Sequence, residues 1–169
     1  MADKQMDYDD CYKFAFGLAV REIDGADNVS MTSLYDALSN YSGDSRRQSK
    51  ALIECLGSSG WKWVPFENQL AKESDYLKMA KEMASSIERL AHGLHRREQL
   101  MAVAERRPYW KFRVGIGADA PQRCLDNDGA IKHYQDPFWK ENMPPCGLPY
   151  CCCQVTSLSE RDMKRRKQQ

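Results

Sequence analysis

Residues 108–117 read PYWKFRVGIG, and this stretch divides the chain into two parts that differ in composition and in the spacing of their apolar residues. Its apolar residues, from Trp110 to Ile116, alternate with charged residues or glycine, a period of two that is typical of a half-buried strand. Before Pro108 the apolar residues recur at helical spacing, and after it prolines and cysteines become frequent. The pattern predicts an α+β fold, with an N-terminal helical bundle followed by a small Cys/Pro-rich strand-and-loop module.

Three short helices are predicted at the start of the chain. Residues 7–23 have one apolar helical face, formed by Cys11, Phe14, Ala15, Leu18 and Ala19. Ser30 or Thr32 is expected to cap a second helix, and Asp44 or Ser45 a third, because short polar side chains accept hydrogen bonds from the first amides of a helix.

A long helix is predicted from Glu67 to the region before Pro108. Its apolar residues recur every seven positions, at Leu70, Leu77, Ala84 and Ala91, with Ala80, Ile87 and Leu94 between them. This spacing forms the narrow stripe by which one helix packs on another. The stretch 61–64, WKWV, is too short to classify.

The elements after Pro108 are short. Residues 126–129 predict a turn, a second strand runs through Ile131 and His133, and a third possible strand ends at Val155. Residues 137–149 contain four prolines and are expected to be irregular, and Ser159 caps a basic helix or tail. The predicted domains are a helical domain (1–107), a Cys-rich module (108–160) and a basic tail (161–169).

Composition narrows the class of protein. Hydrophobic residues make up 42% of the 169 residues and charged residues 29%. Because the formal net charge is only +1, binding of nucleic acid would have to depend on local basic patches. The first ten residues lack the basic and apolar regions of a secretory signal, and no run approaches the roughly 20 apolar residues of a membrane helix. We expect no membrane association.

Four sequence elements after residue 135 occur in a specific order. They are DPFW at 136–139, PPCG at 144–147, the cysteines of 151–153 and LSERD at 158–162. This order resembles the closing signature of the phage Mu F-like head-morphogenesis family. Cysteine stands at positions 124, 146 and 152, where that family usually has His, Asn and Arg.

The resemblance implies a non-enzymatic minor head protein that contacts the capsid or portal. Its expected location is the cytoplasm of a bacterial host, or the virion. The separation of acidic from basic residues leaves an alternative open: a small anti-CRISPR type inhibitor that binds a host defence nucleoprotein complex through charged surfaces.

Four cysteines form a candidate metal site. Cys124, Cys146, Cys151 and Cys153 supply four soft ligands, the number that a closed tetrahedral zinc site needs. Because alternate residues of a strand share a face, Cys152 would point away, and His133 is a substitute ligand. The alternative is that the cysteines are buried thiols, which are common in protein cores.

Charge is unevenly distributed along the chain. A candidate surface for nucleic acid or a protein partner consists of Arg96, Arg97, Arg106, Arg107, Lys111 and Arg113, and a further basic run covers residues 161–167. The acids Asp7, Asp9, Asp10 and Glu22 lie near the N-terminus and could imitate phosphates. Solvated helix faces are the alternative for both groups.

The aromatic residues carry two interpretations. Phe138 and Trp139 are expected to fill the core of the module, with a partner-binding aromatic patch as the alternative, and Trp61 and Trp63 are a further candidate anchor. His92 and His95 share a helix face with Glu88 as the nearest carboxylate at helical spacing. The sequence shows no recognised catalytic motif, and we predict no catalytic residue.

Overall fold

The computed structural model describes residues 6–25, 29–57, 60–63, 76–115, 120–144, 153–166 and 168. The chain folds into two compact units, one spanning Tyr8–Ala91 and the other formed chiefly by the residues from His92 onward. Helices combined with two small antiparallel sheets confirm the predicted α+β class. No helix in these ranges is long and apolar enough to cross a membrane.

The N-terminal unit consists mainly of helices. Its elements are α1 (Tyr8–Val20), β1 (Ile23–Asp24), α2 (Met31–Ser39), α3 (Ser45–Leu56), β2 (Lys62–Trp63) and the start of α4 (Tyr76–Ala102), which continues into the second unit. The boundary therefore falls within a helix, whereas the sequence pattern puts it at 107/108.

Side-chain caps set the starts of α2 and α3. Ser30 Oγ accepts a hydrogen bond of 3.3 Å from the amide of Ser33, and Asp44 Oδ1 accepts one of 3.1 Å from the amide of Arg47. Both caps are among the predicted ones. Each satisfies a backbone donor that the helix itself leaves without a partner.

The buried face of α1 differs from the predicted one. Phe14 and Leu18 are 53% and 40% exposed, whereas Tyr12 and Phe16 are buried. The reason is aromatic packing, since both buried rings meet Tyr35 edge-on, with centroids 6.2 and 5.2 Å away. Cys11, Ala15 and Ala19 are buried as expected.

The predicted seam of α4 is confirmed over most of its described length. Ala84, Ile87 and Ala91 are fully buried, but Leu77 is 56% exposed, because it lies within the first turn of the helix. Leu70 lies outside the described residues.

The unclassified stretch 61–64 contains a strand, β2. It pairs with β1 in antiparallel register, so that Ile23 lies opposite Trp63. Gly25 follows β1 with a φ of 79°, and a side chain there would collide with the carbonyl of Gly60. The chain therefore needs glycine at this turn.

The C-terminal unit is a three-stranded sheet with short helices. After α4 come β3 (Tyr109–Arg113), α5 (Gln122–Asp126), β4 (Ile131–His133), α6 (Phe138–Asn142), β5 (Gln154–Leu158) and α7 (Glu160–Arg166). The strand order is β4-β3-β5, and both pairings are antiparallel.

Two predictions for this unit were wrong. Residues 138–142 form a helix rather than irregular chain, because Asp136 Oδ1 accepts a hydrogen bond of 2.9 Å from the amide of Phe138 and starts the turn. The third strand does not end at Val155 but runs from Gln154 to Leu158, paired with β3 along its whole length. The other two strands and the caps follow the predicted pattern.

One face of the sheet forms the core of this unit. Trp110 and Phe112 point to this face and are buried with Leu100, Ala104, Cys124, Trp139 and Val155. The neighbouring residues Tyr109, Lys111 and Arg113 alternate to the opposite face.

Candidate binding site: an arginine-lined cleft in the C-terminal unit

The DPFW element builds the core of the C-terminal unit. The ring of Phe138 meets Phe112 edge-on, with centroids 6.3 Å apart, and the ring of Trp139 meets Trp110 at 5.6 Å. The indole nitrogen of Trp139 donates a hydrogen bond of 2.9 Å to the carbonyl of His133. The interpretation as a core plug is confirmed, and the aromatic-patch alternative fails for Trp139, which is buried.

The LSERD element forms a cap at the start of α7. The amide of Asp162 donates a hydrogen bond of 3.2 Å to Ser159 Oγ, and Asp162 Oδ2 accepts hydrogen bonds from the amide and hydroxyl of Ser159 at 2.9 and 2.8 Å. Such a reciprocal arrangement is a capping box with aspartate as the acid. The predicted cap at Ser159 is therefore confirmed.

The same carboxylate also orients two guanidinium groups. Asp162 Oδ2 accepts a hydrogen bond of 3.2 Å from Arg107 Nη2, and Oδ1 accepts one of 3.1 Å from Arg165 Nη2. Arg107 is held further by Ser157, since its Nε donates to Ser157 Oγ at 3.0 Å and its Nη2 donates to the carbonyl of Ser157 at 2.8 Å. One planar group thus joins the end of β5 to the start of α7.

These contacts border an open cleft of about 400 Å³. Its lining consists of Arg107, Leu158, Asp162, Arg165 and Arg166. Leu158 contributes its apolar side chain and is nearly buried, at 9% exposure. The cleft therefore combines an apolar contact with three guanidinium groups.

The charge balance of the cleft is positive. Hydrogen bonds from the backbone and hydroxyl of Ser159, helped by Arg107 and Arg165, lower the pKa of Asp162 to about 2, so the carboxylate is ionised at neutral pH. One carboxylate faces three arginines, and Arg166 has no ion-pair partner among the residues that the structure describes. The cleft is suited to an anionic ligand.

The predicted basic surface does not come together at the cleft. Of its six residues, all described, Arg107 is the one that lines the cleft, and Arg96, Arg97 and Arg106 are exposed. Lys111 lies on the sheet face opposite the core, as does Arg113, whose Nε is 3.9 Å from Asp128 Oδ1.

Two of the four proposed zinc ligands share one region. Cys124 is buried in the core of the C-terminal unit, and Cys153 packs against the same cluster. Cys146 and Cys151 lie outside the described residues. Among the residues that the structure describes, no three His, Cys, Asp or Glu side chains form a group that could hold a metal ion, so zinc stays a prediction.

His133 does not fit as a substitute ligand. It lies opposite Tyr109 in the register and stacks edge-on against that ring at 5.9 Å. This places it on the sheet face away from Phe112, whereas Cys153 packs on the core side. Alternation along the strands thus separates the two side chains.

Trp61 and Trp63 are excluded as a surface anchor. Each is 1% exposed, and their indole nitrogens donate hydrogen bonds to the carbonyls of Gly57 and Ala19 at 2.9 and 3.1 Å. Both side chains are part of the core of the N-terminal unit.

Glu88 has a structural environment in the N-terminal unit. Its Oε1 accepts hydrogen bonds from Ser42 Oγ, the amide of Gly43 and Gln48 Nε2 at 3.0, 2.9 and 2.8 Å. Its Oε2 accepts one of 2.7 Å from the hydroxyl of Tyr8. Burial raises the pKa of Glu88, but these four hydrogen bonds outweigh it and the net pKa lies below the ordinary value.

Over 77 residues the chain is 35% identical to a protein of Escherichia phage Mu described as "Putative capsid assembly protein F". The match covers 45% of this chain and 17% of the phage protein, so the chain spans about a sixth of the length of that relative. No family model matches the chain, and no solved structure matches it significantly. The similarity supports a partial F-like relationship.

Proposed function

We propose that this chain is a non-enzymatic binding protein of phage head morphogenesis, which contacts a capsid or portal component. The observation that carries the proposal is the 35% identity to the Mu capsid assembly protein. It would act in the cytoplasm of a bacterial host, or in the virion.

The structural role of the motif residues supports this proposal. Asp136 starts a helix, Trp139 fills the core, and Ser159 and Asp162 cap α7. The folding of the module therefore explains why these residues resemble the family, and none of them needs a catalytic role. If the module is shared because of its fold, it would bind a partner through its surface residues.

A pull-down tests the proposal. The tagged full chain is expressed in the bacterial host with and without the head proteins of the phage, and the captured proteins are identified by mass spectrometry. We expect capsid or portal protein to be captured. Trp139→Ala is the control, because loss of a buried aromatic costs about 3–5 kcal/mol and should abolish capture by unfolding the module.

Two results would overturn the proposal. One is capture of a host defence nucleoprotein complex in place of head proteins, which would support the inhibitor alternative. The other is failure to capture any head protein while the wild-type chain is folded by circular dichroism.

A further inference from the structure

We propose that the cleft between the end of β5 and α7 binds a carboxylate-bearing peptide segment with an adjacent aliphatic side chain. The inference rests on the proposed function insofar as the segment would belong to a head component. It adds the chemistry by which that component is recognised.

Arg107 is the centre of this proposed site because its orientation is already set. Nε and Nη2 donate to Ser157 and Asp162, which leaves the two hydrogens of Nη1 without an acceptor among the described residues. The side chain is 42% exposed, so a ligand can reach it. A guanidinium that is already oriented loses little freedom when it binds a carboxylate.

Arg165 and Arg166 add positive charge next to Arg107. Arg165 donates to Asp162 through Nη2, and its side chain is 66% exposed. Asp162 therefore holds the guanidiniums of Arg107 and Arg165 on its two oxygens, which directs both toward one cleft. Guanidinium groups bind carboxylates through short, charge-assisted hydrogen bonds.

The rest of the lining favours a peptide over a nucleic acid. Leu158 offers an apolar contact that suits an aliphatic side chain and contributes nothing to a phosphate. Asp162 is ionised within the lining, and Glu160 accepts a hydrogen bond from Tyr109 at the start of the same helix. These two acids repel a polyanionic backbone more than they repel a single carboxylate.

A titration with a synthetic peptide tests the site. The probe is an N-acetylated, C-amidated peptide in which glutamates alternate with leucines, added to the ¹⁵N-labelled full chain. The comparison peptide has glutamine in place of each glutamate. We expect the acidic peptide to shift the Nε–Hε resonances of Arg107 and Arg165, and the glutamine peptide to leave them unchanged.

Variants locate the binding. Arg165→Gln combined with Arg166→Gln should weaken the acidic peptide about tenfold, since each change removes a charged donor. The matched control is Arg96→Gln combined with Arg97→Gln, which removes two exposed arginines elsewhere in the same unit and should have no effect. Both pairs leave Arg107 in place.

Three results would overturn the inference. One is the absence of any shift at Arg107 and Arg165 up to millimolar acidic peptide. Another is equal weakening by the two variant pairs, and the third is tighter binding of a single-stranded oligothymidylate at the same arginines. If the peptide fails while the pull-down captures head proteins, the proposed function stands and this cleft is not its binding site.

Discussion

The hydroxyl of Tyr8 donates a hydrogen bond of 2.7 Å to Glu88, a residue 80 positions later in the chain. Three further donors from the α2–α3 region complete the environment of this carboxylate, and all four are uncharged. Tyr8 lies on α1 and Glu88 on α4, so the carboxylate connects the first and last helices of the N-terminal unit. Loss of the charge of Glu88 should therefore lower the stability of that whole unit.

Glu88→Gln should destabilise the N-terminal unit by about 2 kcal/mol, because hydrogen bonds to a charged acceptor are stronger than those to a neutral amide. Urea unfolding followed by circular dichroism measures the change. The matched control is Glu82→Gln on the same helix, whose one described ion pair, with Arg89, is 3.8 Å long. That control should cost at most about 0.5 kcal/mol. Equal effects of the two variants would contradict the structural role of Glu88.

The Glu88 contribution should depend on pH in a definite direction. Its pKa is lowered in the folded state, so the stabilisation is complete above the ordinary pKa of glutamate and is lost as the pH falls through the folded value. The difference in unfolding free energy between the wild type and Glu88→Gln should therefore shrink as the solution is acidified below the ordinary glutamate range. A difference that stays constant or grows on acidification would show that the hydrogen bonds do not favour the ionised form.

Substitution of Arg107 by lysine should lower the stability of the C-terminal unit more than the same substitution of Arg106. Arg107→Lys loses the planar group that reaches both Ser157 and Asp162, and we expect it to lower the unfolding free energy of the C-terminal unit by about 1–2 kcal/mol. Arg106→Lys is the matched control, because Arg106 is exposed and should tolerate the change. Thermal unfolding of the two variants measures both effects. Equal melting temperatures would mean that Arg107 is a surface residue, as the sequence alone suggests.

Local signals explain why much of the fold could be predicted. Ser30 and Asp44 cap helices through hydrogen bonds to amides three residues later, and such short-range contacts are visible as sequence patterns. The alternation at Trp110 and Phe112 likewise shows which face of β3 is buried.

Contacts between distant segments account for the errors. Tyr12 and Phe16 replace Phe14 and Leu18 on the buried face of α1 because they pack on Tyr35, which belongs to another helix. Spacing along one helix cannot show where a partner ring lies. The heptad pattern also does not show that Leu77 is exposed, since it does not show where the first turn of α4 lies.

The arginine cleft depends on contacts of this second kind. Arg107 and Asp162 are 55 residues apart and meet because β5 pairs with β3. In the sequence, Arg107 stands among basic neighbours, and Arg165 belongs to a separate basic run at 161–167. The LSERD element could have predicted this contact. The spacing of its Ser and Asp predicts a helix cap, and such a cap fixes the carboxylate beside those arginines.

The zinc hypothesis gives a prediction about metal content. Protein purified without chelator should contain about one zinc per chain, held by Cys124, Cys146, Cys151 and Cys153. Cys153→Ser should lower both the zinc content and the melting temperature, because Cys153 packs against the same cluster as Cys124. Elemental analysis measures the metal.

Two controls separate zinc binding from packing. Cys152→Ser should leave the zinc content unchanged, because Cys152 is not among the four proposed ligands. Cys55→Ser changes a half-buried thiol in the N-terminal unit and should also retain zinc. Folded wild-type protein without bound metal would refute the hypothesis and leave the cysteines as core thiols.

The exposed basic residues of the predicted surface should contribute to the capture of a whole partner protein, separately from the binding of a short peptide at the cleft. Arg96→Glu, Arg97→Glu and Arg106→Glu together reverse three exposed charges and leave the hydrogen bonds of Arg107 in place. If the partner presents phosphates or carboxylates to this surface, the triple variant should weaken the captured complex by about tenfold or more. Wild-type binding should also fall as salt is added, because salt screens exposed charges and displaces phosphate contacts.

The N-terminal acids provide the opposing test. Neutralising the exposed residues Asp9 and Glu22, as Asp9→Asn and Glu22→Gln, should leave binding unchanged if the basic surface is responsible. If neutralisation is the damaging change, the partner has a basic surface and these acids imitate phosphates. Binding that survives both sets of changes and is indifferent to salt would refute the electrostatic hypothesis. Since Trp61 and Trp63 are buried, the exposed pair Phe14 and Leu18 on α1 would then be the next surface to mutate.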